Sequence, residues 1–144
     1  STADGVALTG TNNICTFSVT GKTTAGSSIG YDVFAVPGSA EAEKTRFKDT
    51  EVFVNIQSEV PTGMTFTPAT GATEGKAIDA LTGATGKKSL GTGTVTATDS
   101  ATTNFTVRMW VDSSKVTVGE TGTYTTEAYG NLYYSMKILV EANA

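Results

Sequence analysis

The chain reads as all-β, an immunoglobulin-like or jelly-roll-like β-sandwich of about seven to eight strands with an extended N-terminal arm. Three observations predict this. Short runs of apolar and polar residues alternate with period two along most of the 144 residues. The composition is dominated by 28 threonines and 16 glycines, the former suited to a pleated surface and the latter to turns. Helical periodicity is nearly missing: Ser39-Ala40-Glu41-Ala42-Glu43-Lys44 is the one stretch rich in helix formers, and it is too short to stand alone. It follows the turn signal Pro37-Gly38 and reads as a loop with at most one helical turn.

Each strand is read from its inward set. Val6 and Leu8 alternate in the arm, residues 1–12, and 13–144 make the sandwich domain. Cys15, Phe17 and Val19 come next and stop at Thr20-Gly21. Ile29, Tyr31, Val33 and Ala35 share a face, and Phe34 and Val36 on the other suggest a strand covered on both sides. Val52, Val54 and Ile56 point inward against Asn55 and Gln57, and Met64 and Phe66 follow Pro61. Val95 and Ala97 belong to a Thr-rich strand. Phe105, Val107, Met109 and Val111 form the cleanest inward face, with Thr106, Arg108 and Trp110 outward. The last strand has Tyr134, Met136, Ile138 and Val140 inward, against Ser135, Lys137 and Glu141. Residues 67–93 read as a long loop or excursion with little core of its own.

The residue inventory argues against an enzyme. With no histidine, Ser/His/Asp and Cys/His catalysis are excluded. Glu51, Glu59, Asp99 and Asp112 read as surface acids, and Gly91-Thr92-Gly93-Thr94 lacks the lysine and helix start of a phosphate loop. No cofactor and no metal is expected. A net charge of −4 opposes nucleic-acid binding, and no apolar run is long enough to span a membrane. Cys15 is the single cysteine, so no internal disulfide forms, and its apolar surroundings read as those of a buried small hydrophobe. The start Ser-Thr-Ala reads as a mature chain left after signal-peptide removal. Roughly 20 sizeable apolar side chains make a lean core for this length, one that neighbouring copies would complete.

Three segments carry a resemblance: Thr45-Arg46-Phe47-Lys48-Asp49-Thr50-Glu51-Val52, then Thr103-Asn104-Phe105-Thr106-Val107-Arg108-Met109-Trp110-Val111-Asp112, then Tyr134-Ser135-Met136-Lys137-Ile138-Leu139-Val140-Glu141-Ala142. Together they resemble a broad group of secreted β-sandwich proteins similar to the TasA/camelysin biofilm-fibre proteins and the archaeal bundling-pilus subunits. The resemblance implies an extracellular, cell-surface filament of identical copies, each donating its N-terminal segment to a neighbour. Residues 1–12 are then the candidate donor strand, with Val6 and Leu8 as the plugs.

Two other uses fit the same composition: a virion capsid decoration or spike protein, and a glycan-binding adhesin engaging other cells or surface glycans. For the latter, Trp110, Tyr124, Tyr129 and Tyr133 are the candidate aromatic contacts. Asn104-Phe105-Thr106 is an N-glycosylation sequon at the start of a strand.

Overall fold

The computed structural model describes residues 14–39, 41–73, 75–84, 86–112, 116 and 132–143. Among these the chain is all-β, with no α-helix. Its strands are β1 (Ile14–Gly21), β2 (Ile29–Pro37), β3 (Thr45–Arg46), β4 (Val52–Glu59), β5 (Met64–Pro68), β6 (Lys76–Ala77), β7 (Gly83–Ala84), β8 (Lys87–Val95), β9 (Ala101–Val111), β10 (Leu132–Tyr133) and β11 (Met136–Asn143). They build one sheet in the order β1-β9-β4-β6 and a second in the order β11-β2-β8-β5, with β7 beside β8. All pairs in both sheets are antiparallel. A small parallel pair, β3 with β10, lies apart from them.

The predicted inward sets line the space between the sheets. Tyr31, Val33 and Ala35 of β2, Val52, Val54 and Ile56 of β4, and Phe105 and Val107 of β9 are buried. The register explains the agreement. Val107 opposes Cys15 on one side and Ile56 on the other, so the pleat carries all three to one face. Phe105 sits at the junction of strands and sheets. Its ring stacks on Phe17 at 4.8 Å and 9°, and Phe66 of the opposite sheet tilts against it at 4.8 Å and 57°.

The expectation for residues 67–93 is corrected. Among the described residues this stretch contains β6, a 3-10 turn at Ile78–Ala80, β7 and most of β8. It also supplies Ala72, Ala77, Ile78, Leu81 and Leu90 to the buried interior. The apolar residues are too sparse for a periodic signal, because short strands and single turns deliver them one at a time. The Gly-Thr-Gly-Thr run is β8 itself. The register slips between Val33 and Phe34, leaving Leu90 as a bulge residue that is fully buried. Gly91 follows with φ +151, and a Cβ there would lie 2.4 Å from Phe66 Cζ and 2.6 Å from the Thr67 carbonyl. At Gly93 a Cβ would lie 2.2 Å from Tyr31 Cζ. The glycines make room for two aromatic rings, while Thr94 on the other face hydrogen-bonds Thr65 at 2.6 Å. Within the 39–44 stretch, residues 41–44 form a turn closed by Lys44 N–H donating to Glu41 O, with Glu43 at φ 63.

Two predictions test this packing. Val107→Asp places an unpaired charge at a site 1% exposed, which costs more than about 4 kcal/mol and abolishes the cooperative urea transition. Gly91→Ala drives a methyl into Phe66 and Thr67 and lowers unfolding free energy by about 2–3 kcal/mol, read by urea denaturation.

Candidate functional site

The feature of the fold that stands out functionally is one uncovered side of the sandwich. The opposite side is closed. After β5 the chain crosses between sheets, with Ala69 N–H donating to Leu90 O at 3.0 Å and Ile56 N–H of β4 donating to Ala72 O at 2.9 Å. Asn55 Nδ2 adds a bond to Thr73 O at 2.9 Å, and β6 then pairs with β4. The edges β5 and β6 are thus tied together by covalent chain. The remaining two edges, β1 and β11, lie on the other side.

There the two sheets are offset. Gly21, ending β1, packs so close to Val95 of β8 that a Cβ would meet its methyl at 3.2 Å. Thr23 N–H donates to Ala97 O at 2.7 Å. One strand further along, Thr103 Oγ1 of β9 donates to Met64 Sδ of β5 at 3.3 Å. At this end β1 overlies β8 and β9 overlies β5. The inward residues of β2, Tyr31, Val33 and Ala35, are buried, and Met136 and Ile138 of β11 still pack against the core; beyond them, toward its far end, β11 is exposed.

Exposure is concentrated on the two edge strands. Val140 opposes the fully buried Val33 and faces the interior with it, yet it is 38% exposed. Ala142 is exposed and Ile138 half-buried. On β1, Phe17 and Val19 are half-buried and Cys15 is exposed. Two expectations are corrected here. Val140 and Cys15 both face inward as the alternation predicts, but they sit on edge strands where no second layer lies over them.

The two edges differ in how they are protected. Edge strands are ordinarily short, charged, bent or proline-bearing, because an unpaired row of N–H and C=O groups recruits another strand. β5 ends in Pro68, β6 has two residues, and β11 carries Lys137 and Glu141. β1 is Ile-Cys-Thr-Phe-Ser-Val-Thr-Gly, eight residues without charge or proline. Among the described residues only β9 pairs with it.

The other predicted contacts divide. Val6, Leu8, Tyr124 and Tyr129 lie outside the described residues. Trp110 is on the outer face of β9, as predicted, but it is not a surface aromatic: it is 8% exposed and tilts against Phe53 at 6.1 Å. Tyr133 is half-buried and holds the preceding turn. Its hydroxyl donates to Ser39 O at 3.2 Å and accepts from Glu41 N–H, and Lys44 Nζ lies 5.7 Å over its ring. Glu51 and Asp112, expected at the surface, are both 2% exposed. They meet at one end of the β4–β9 pair, where Asp112 N–H donates to Glu51 O at 2.8 Å and Lys48 N–H to Glu51 Oε1 at 3.3 Å. Asn104 is exposed on the outer face of β9.

The motif from Thr45 to Val52 forms a clamp on the last strand region. Arg46 Nη2 contacts Asp49 Oδ1 at 2.6 Å, Tyr134 Oη donates to the same oxygen at 2.8 Å, and the guanidinium lies 4.6 Å over the Tyr134 ring. Arg46 Nε also donates to Gly38 O at 2.7 Å. The clamp holds the start of β11 against the body, leaving its far end as the uncovered part.

Protein-family models, curated proteins and solved structures give no match to this chain.

The clamp has a pH signature. Burial, then the hydrogen bond to Asp49, raises the Tyr134 hydroxyl well above its ordinary 10.0, and burial raises Tyr31. The unfolded chain loses these protons first as pH rises, so the associated stability is complete below about pH 10 and declines above it. Tyr134→Phe lowers stability at neutral pH by about 1–2 kcal/mol, and its stability falls less steeply above pH 10 than that of the parent, read by urea denaturation across pH.

Proposed function

We propose that this chain is a structural subunit of an extracellular filament of the pilus, thread or biofilm-fibre kind, built by donor-strand complementation between identical copies. One observation carries the reading: an uncharged, unprotected edge, β1, lies on the same side as the uncovered interior face of β11. A strand added beside β1 satisfies its free backbone groups and places alternate side chains over Ile138, Val140 and Ala142.

The candidate donor suits the space in length and pattern. Twelve extended residues reach about 40 Å, against about 27 Å for an eight-residue strand such as β1. Val6 and Leu8 are two residues apart, the repeat that separates Phe17 from Val19 and Ile138 from Val140. Two buried plugs contribute about 3–6 kcal/mol before ladder hydrogen bonds are added. Of the four aromatics named for the adhesin alternative, Trp110 is buried, Tyr133 is hydrogen-bonded to Ser39, and Tyr124 and Tyr129 lie outside the described residues.

Electron microscopy and sedimentation of the purified chain test the reading. The full chain forms threads, whereas a chain lacking residues 1–12 stays monomeric with an unchanged strand signature in circular dichroism. A synthetic peptide of residues 1–12 binds that shortened monomer and raises its Tm. Val140→Asp leaves the monomer folded, because its site is already wet, but weakens assembly by at least tenfold in concentration. Threads that form equally well without residues 1–12 overturn the proposal.

A further inference from the structure

A second surface of the molecule has its own chemistry. The outer face of the β1-β9-β4 sheet is divided in two. At one end Asn55 and Trp110 are buried. At the other the face opens into a shallow depression of ≈ 720 Å³, lined by Thr16, Ser18, Gln57, Glu59, Asn104 and Thr106. The register puts Asn104 between Ser18 and Glu59, and Thr106 between Thr16 and Gln57. Arg108 Nη1 donates to Gln57 Oε1 at 2.7 Å, which orients the amide and leaves its NH2 group for the depression.

We infer that Asn104 is an N-glycosylation site, with the saccharide seated on this depression. Three observations converge. The sequon Asn104-Phe105-Thr106 has a non-proline middle residue. Phe105 is 2% exposed and anchored in the core, so the pleat drives Asn104 and Thr106 together to the outer face. The exposed Asn104 side chain stands in a concavity edged with hydroxyl, amide and carboxylate groups, the set that hydrogen-bonds sugar hydroxyls.

In the transfer, Asn104 Nδ2 bonds to the anomeric carbon of a saccharide carried on a lipid phosphate or pyrophosphate. The bond from that carbon to the phosphate oxygen breaks, the lipid phosphate leaves with the electron pair, and the amide loses one proton to a base. Transfer acts on the extended chain during export, before β9 is hydrogen-bonded on both sides. The fold then needs only to leave the product in solvent, and it does. The inference rests on the extracellular reading above. It adds a consequence: a sugar on this face keeps the broad side of the sandwich wet and confines association to the edges.

The test is to export the full chain through a secretory route that carries an asparagine-glycosylating transferase and to map its peptides by mass spectrometry. The peptide containing Asn104 carries added hexose-class mass that a glycan-releasing amidase removes. Thr106→Ser retains the modification, whereas Thr106→Ala and Asn104→Gln lose it with the fold intact by circular dichroism. An exported parent chain with Asn104 unmodified overturns the inference, as does modification that persists in Thr106→Ala. Thread formation in the same samples separates the two readings. Threads of unmodified chain sink the glycan site alone, and modified chain that never assembles sinks the filament alone.

Discussion

The packing of Phe105 joins the two layers of the sandwich. Its ring lies between Phe17 of the edge strand and Phe66 of the opposite sheet, so three strands and both layers meet at one side chain. A centrally placed aromatic of this kind fixes how the layers slide past one another, since interiors are packed too densely to shift continuously. At one end of the sandwich β9 lies over β5 and β1 over β8. Val140 lies on the edge strand β11 and stays 38% exposed although it opposes the buried Val33.

The two glycines of β8 belong to the same constraint. Phe66 and Tyr31 occupy the space that side chains at Gly91 and Gly93 would fill. A strand of small inward residues lets large rings from its neighbours on each side lie beneath it. In the Arg46–Asp49–Tyr134 clamp, ion pairing and ring contact anchor the start of the last strand. A half-buried pair of this geometry is stronger than a surface ion pair because solvent screens it less.

Edges, faces and charge then divide the surface by role. Among the described residues the edges β5, β6 and β11 each carry a recognised safeguard, whether proline, brevity or charge, and β1 carries none. The outer face over β9 is polar at the Asn104 end and sealed at the Trp110 end. Association through the edge and solvation of the face are compatible because the pleat separates them: the edge presents backbone, and the face presents side chains.

Much of this was legible in the chain itself. Alternation specified the all-β class, the facing of β2, β4 and β9, and the outward placement of Thr106, Arg108 and Trp110, because side-chain direction in a strand is a local property of period two. What alternation cannot encode is coverage. Whether Val140 or Cys15 is buried depends on a second layer, and whether Trp110 or Glu51 is exposed depends on what folds over the outer face. Residues 67–93 escaped for a related reason: Ile78, Leu81 and Leu90 enter the core from single turns and a bulge, which have no period. Direction was decided by sequence, whereas depth was decided by which elements pack over each strand, a long-range outcome that no local pattern contains.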